Sequence, residues 1–153
     1  MNAADALEHV IVVLGAHAHE VLGAVDFGRA EPVVCEGWSE GIAASLRFAV
    51  RALPDADPLV IALGDQPGLT PAAIAAVVGA ALGDPGAHAA RAVYAGVPGH
   101  PVAIRSPLRE AVMRLRGDSG AGRLLGGAAE VECGGFAKAA DVDTPEQLEA
   151  LRS

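Results

Sequence analysis

The sequence predicts an α/β domain with a mostly parallel sheet, and three observations carry that expectation. Val10-Ile11-Val12-Val13-Leu14 ends at Gly15, and Leu59-Val60-Ile61-Ala62-Leu63 ends at Gly64. Continuous apolar runs of this kind are how strands buried on both faces look. Between them, Gly41 to Leu53 sets Ile42, Leu46, Ala49, Val50 and Leu53 on one helical face. Aromatic residues make up only 3% of the chain, so the interior must be built from Ala, Val, Leu and Ile, which suits Ala-rich helices laid over a parallel sheet.

The remaining elements follow in order. Pro32-Val33-Val34-Cys35 offers a shorter strand. Thr70-Pro71, Ser106-Pro107 and Thr144-Pro145 each place a capping hydroxyl before a proline suited to the first helical position. Gln147 lies three residues after Thr144 and completes a capping box. The helix from Pro71 to about Leu82 turns Ile74, Val77, Val78 and Ala81 inward, and the last helix carries Leu148 and Leu151 as its apolar positions. Further strands are expected at Ala90 to Tyr94, Val102 to Ile104, Ala129 to Cys133 and near Ala140 to Val142. Strand, helix, strand is the local grammar, with no internal repeat and no linker, so residues 1–153 are expected to form one domain.

With 11 Lys and Arg against 19 Asp and Glu, the net charge is −8, and the summed field repels a polyphosphate backbone. Nucleic acid is excluded as an expected partner; a nucleotide is not, provided a metal ion masks the carboxylates that face it. The apolar run Val10 to Leu14 is too short for a membrane span and the first residues are acidic where a secretion signal is basic, so no membrane association and a cytoplasmic location are expected. Cys35 and Cys133 have no metal-type spacing and read as buried thiols.

Chemistry concentrates at the strand ends. Gly64-Asp65-Gln66-Pro67 follows a buried strand and delivers Asp65 to the carboxyl edge of the sheet, where open α/β folds bind ligands. Such an Asp is either a hard-cation ligand or the residue of an Asx-turn. Asp141-Val142-Asp143-Thr144-Pro145 would, as a strand, point both carboxylates to one face. Two carboxylates from separate strand ends can hold one magnesium ion with room for phosphate oxygens; equally, Asp143 can serve only the dipole of the helix that follows. His17-Ala18-His19-Glu20 reads as a solvated helix start, and Arg47, Arg51, Arg114 and Arg116 as solvent-facing helix charges.

Five segments in order, from Glu36-Gly37-Trp38-Ser39-Glu40-Gly41-Ile42-Ala43-Ala44-Ser45-Leu46 through Gly64-Asp65-Gln66-Pro67, Gly99-His100-Pro101-Val102 and Gly117-Asp118-Ser119-Gly120-Ala121 to Asp141-Val142-Asp143-Thr144-Pro145-Glu146, resemble the molybdenum-cofactor cytidylyltransferases, a branch of the MobA-like NTP transferases. The resemblance spans nearly the whole chain. It implies a Rossmann-like, three-layer sandwich of the nucleotide-diphospho-sugar transferase type, and transfer of CMP from CTP, or of the corresponding group from another NTP, to a molybdopterin-type acceptor with release of pyrophosphate. By the same resemblance Asp65 and Asp143 are the catalytic pair that binds Mg2+, with Asp141 in reserve. Gly41, Ser45, Gly64 and Asp65 would contact the nucleotide, and His100, Asp118 and Gly120 the acceptor.

The chain departs from the family in three places. Ile42-Ala43-Ala44 stands where Met-Gly-Ser is usual, and Gly122 stands in place of an arginine that follows one residue later as Arg123. Family members also open with a strand and a Leu-Ala-Ala-Gly-x-Ser-x-Arg-Met-Gly loop that wraps the triphosphate. Nothing here matches it, Ala3 to Leu7 reads as the tail of the helix after that loop, and about 35–45 residues are expected to be lacking. Loss of charge-stabilising donors of that kind typically costs about 10²–10³ in rate, so the short chain is expected to turn over little by itself. An unpaired neighbour of a lacking strand would favour pairing with a second copy as a homodimer. Two other readings stay open: a non-catalytic binding domain of the same fold, and a family member acting on another small molecule.

Overall fold

The computed structural model describes residues 7–135 and 141–152. Ala3 to Ala6 and Ala140, both assigned above from sequence, lie outside these residues. The chain runs through β1 (Ile11–Leu14), α1 (Ala18–Ala24), β2 (Glu31–Val34), a 3-10 turn (Glu36–Glu40), α2 (Ile42–Ala52), β3 (Leu59–Ile61), α3 (Pro71–Gly83), β4 (Ala89–Tyr94), β5 (Val97–Ile104), α4 (Ser106–Arg114), a second 3-10 turn (Ala121–Leu124), β6 (Ala129–Glu132) and α5 (Pro145–Arg152). The α/β class expected from the sequence is the class observed. No described helix is long and apolar enough to cross a membrane.

Among the described residues the strands form two sheets. β1 and β2 pair in parallel, with Ile11 opposite Glu31 and Leu14 opposite Val34. The other sheet has the order β3-β5-β4-β6; β5 runs antiparallel to both neighbours, while β4 and β6 are parallel. The reversal of β5 has a local cause. Ala95 and Gly96 both have positive φ, 52° and 80°, which gives the tight two-residue hairpin that only antiparallel strands can share. β5 accordingly starts at Val97, earlier than the expected Val102.

Two cores lie on opposite faces of the four-stranded sheet and make it the middle of three layers. Val102, Ile104, Leu59 and Ala89 meet Ala43, Leu46 and Val50 of α2 and Val112 of α4 on one face. Ala90, Ala92 and Ala103 meet Ala73, Val77 and Ala81 of α3 on the other. Alternate residues of β5 thus serve different layers, as a pleated strand requires. The alanines at these contacts have almost no accessible surface, which lets helix backbones approach the sheet closely.

Several side chains lie elsewhere than the periodicity predicts. Ile42 is 48% exposed, and Ala43 takes the inward position at the start of α2. Leu148 and Leu151 are also exposed, and the bonds at the start of α5 are the local Thr144–Gln147 cap. β1 buries only Leu14 fully, and among the described residues it pairs with β2 alone. Arg47 is not a solvated charge: it donates to the Leu115 carbonyl at 2.6 Å and to Glu40 at 3.3 Å. Arg116 likewise donates to the carbonyls of Met113 and Leu115 at the end of α4. The Ser106 hydroxyl does not cap α4; it donates to Asp57 at 2.9 Å, and Arg105 is the capping residue. Cys35 and Cys133 are free and buried.

Candidate functional site

Asp65 follows β3 by a short extended segment and a turn at Gly64, and its side chain is exposed. Its backbone carbonyl accepts the Val142 N–H at 2.9 Å. One residue on, the Gln66 carboxamide donates to Asp141 Oδ1 at 2.8 Å. These two bonds join the loop after β3 to the segment before α5, segments 75 residues apart in sequence. They bring the backbones of Asp65 and the Asp141–Asp143 segment together on one edge. That segment is not a strand over residues 141–143, as its spacing suggested; it is fixed from the helix side instead. The amides of Asp143 and Thr144 donate to Gln147 Oε1 at 2.7 and 3.1 Å, and the Gln147 amide donates to Thr144 Oγ1 at 3.3 Å, the reciprocal box expected at that position.

His100 belongs to the same group. It lies half-buried on β5, and burial pushes its pKa below the ordinary histidine value against the opposing pull of the Asp141 and Asp65 charges. The shift favours the neutral imidazole, which offers one donor and one acceptor. The Tyr94 hydroxyl donates to the His100 carbonyl at 2.6 Å.

A second group is built from α2 and the loop after α4. Gly41, the residue before α2, has φ +104° and ψ 176°, a conformation essentially confined to glycine. A Cβ there would lie 2.5 Å from the Gly117 carbonyl carbon and oxygen and 2.7 Å from Asp118 Oδ1. The Ala43 amide donates to the same Gly117 carbonyl at 3.0 Å. Gly41 and Asp118, assigned from the sequence to different substrates, are thus pressed against each other. Ser45 is half-buried one turn into α2, and Gly120 caps the 3-10 turn at Ala121–Leu124. Gly64 stands in open space with no close neighbour.

The bonds around Asp65 join backbone to backbone and Gln66 to Asp141; they do not bring the carboxylates of Asp65 and Asp143 into contact. Asp65, Asp141 and Asp143 offer exposed carboxylate oxygens, one of them engaged by Gln66. Among the described residues no three His, Cys, Asp or Glu side chains are grouped so that they could hold a metal ion. Magnesium sites in nucleotide enzymes use one or two carboxylates, with the rest supplied by phosphate and water. Sequence reasoning passed over Gln66 and Tyr94. Gln66 had a signal, its place beside Asp65 in a quoted motif, whereas Tyr94 had none.

Comparison with known proteins bears on the family and the fold. Over 154 aligned residues the chain is 30% identical to nicotine blue oxidoreductase of Paenarthrobacter nicotinovorans, covering 93% of this chain and 74% of that protein. The crystal structure of Rv0371c from Mycobacterium tuberculosis H37Rv superposes with a TM-score of 0.77 at 30% identity, covering 97% of this chain and 78% of that one. A complex of Rv0371C with manganese gives a TM-score of 0.77 at 28% identity over 97% of this chain and 81% of that one. The MobA-like NTP transferase domain matches residues 1–132, so the chain, with its α/β architecture, belongs to the MobA-like NTP transferase family.

Proposed function

We propose that the chain works as a nucleotidyltransferase that moves CMP from CTP to a molybdopterin-type acceptor. The observation that carries this reading is the pair of bonds that fastens the Asp141–Asp143 segment to Asp65 and Gln66. In the proposed reaction an acceptor phosphate oxygen attacks the α-phosphorus of CTP. The bond from that phosphorus to the bridging oxygen breaks, and pyrophosphate leaves with the electron pair.

Asp65 and Asp143, with Asp141 in reserve, would hold the divalent cation, Mg2+ or the manganese found with a relative. When bound, that ion neutralises phosphate charge as it develops. Gly41 and Ser45 would wall the base, Gly64 would let the phosphates approach the backbone, and Asp118 and Gly120 would border the acceptor. The neutral imidazole of His100 would orient the acceptor by hydrogen bonding beside the aspartates. The buried free thiols suit a reducing cytoplasm.

Calorimetric titration with CTP, in the presence and absence of Mg2+ or Mn2+, tests the reading. Binding should require the metal, because a chain of net charge −8 otherwise repels the triphosphate. Asp65→Asn and Asp143→Asn should each weaken metal-dependent binding by at least about tenfold, the loss of one charged contact. Metal-independent binding, or two silent substitutions, would remove these aspartates from the mechanism. A second reading is favoured by the similarity to nicotine blue oxidoreductase: the acceptor side serves another small molecule. Equal binding of CTP and GTP, with no pyrophosphate released when a molybdopterin-type acceptor is added, would support it.

A further inference from the structure

The placement of His100, within electrostatic range of Asp65 and Asp141, follows from the register of β4 and β5. Arg91 lies opposite Val102, yet Val93 lies opposite Pro98, so β5 moves four residues while β4 moves two. The surplus falls at Gly99-His100-Pro101, where β5 bulges out of its ladder. Bulges of this kind re-aim side chains and leave backbone groups without ladder partners. Pro101 adds no amide of its own.

Tyr94 occupies the position that meets this need. It closes β4 opposite Val97 and is itself half-buried, packed against the core beneath α3. Its hydroxyl donates to the displaced His100 carbonyl at 2.6 Å. Its ring lies against Gly99, where a Cβ would come within 3.0 and 3.1 Å of two ring carbons. Hydroxyl and ring therefore grip successive residues of the bulge. Burial, with the neighbouring Cys133, pushes the phenol pKa up, so the hydroxyl keeps the proton it donates.

We propose that Tyr94 is a positioning residue: by fixing the Gly99–Pro101 bulge it presents the His100 imidazole to Asp65 and Asp141. The effect on nucleotide chemistry rests on the transferase reading; the placement of His100 does not. Tyr94→Phe keeps the ring against Gly99 and removes only the hydrogen bond.

Two measurements on the full chain test it. In the metal-free protein at fixed pH, the ring cross-peak of His100 should shift and broaden in Tyr94→Phe while the signals of His17 and His19 stay in place. With Mn2+ and CTP as the probe, Tyr94→Phe should lose about five- to tenfold in affinity, the worth of one hydrogen bond, and this loss should vanish in a His100→Ala background. An unchanged His100 signal overturns the proposal, as does an affinity loss that persists in full without His100. If the unsubstituted chain binds no Mn2+ and CTP, the transferase reading fails, and the His100 signal alone decides the role of Tyr94.

Discussion

Gly41→Ala isolates the close contact between the start of α2 and the Gly117–Asp118 loop. The glycine conformation at φ +104° and ψ 176° costs any L-residue about 1–3 kcal/mol. The new methyl would meet the Gly117 carbonyl at 2.5 Å, and backbone cannot swing aside as a side-chain tip can. Displacing the loop adds an overpacking cost of about 1–3 kcal/mol. It would also stretch the 3.0 Å bond from the Ala43 amide to Gly117, worth about 1 kcal/mol. Allowing for partial relaxation, the loss is expected to be about 2–5 kcal/mol, measured as a fall in the urea midpoint at unchanged slope. Gly64→Ala is the control, since Gly64 has open space around it and no positive φ. It should stay within about 0.5 kcal/mol of the parent, as surface changes do. If the two substitutions cost the same, the close approach of α2 to the Gly117–Asp118 loop is not a determinant of the fold.

Two further outcomes follow from side chains that tie elements together. The Arg109 guanidinium donates to the carbonyls of Val50, Leu53 and Ala56, closing the end of α2 from α4, so Arg109→Ala leaves several part-buried acceptors unpaired. It should cost about 2–4 kcal/mol, and so lower the melting temperature by about 5–12 °C in a thermal scan; a shift under about 2 °C would remove it as a tie. Burial pushes the Asp57 pKa up, but bonds from Ser106 and the charge of Arg105 outweigh it and hold the carboxyl below its ordinary 3.8. A depressed folded-state pKa contributes stability that is present above pH ~3.8 and is lost as pH falls through the folded value. Urea midpoints at pH 7, 5 and 3 should therefore fall less steeply with acidification in Asp57→Asn than in the parent, and parallel curves would refute the assignment.

The sequence by itself determined the elements whose causes are local. Thr70 accepts the Ala73 amide at 3.2 Å and Thr144 exchanges bonds with Gln147, as their spacing before a proline and a glutamine required. The inward stripe of Ile74, Val77 and Ala81 followed from helical period alone. The family was legible because motif residues keep their order along the chain whatever the fold does with them. Tertiary structure decided the rest. Ile42 and Ala43 both fit an apolar stripe, and the close seat of α2 on the sheet admitted the smaller one. The positive φ at Ala95 that reverses β5 has no marker in an Ala-Gly pair, where Asn-Gly would have announced it. Arg109, Gln66 and Tyr94 act through partners 53, 75 and 6 residues away. Their roles depend on which backbone carbonyls and carboxylates the fold leaves in reach, and a hydrogen bond's partner is set by a separation of a few ångströms in space that no local pattern encodes.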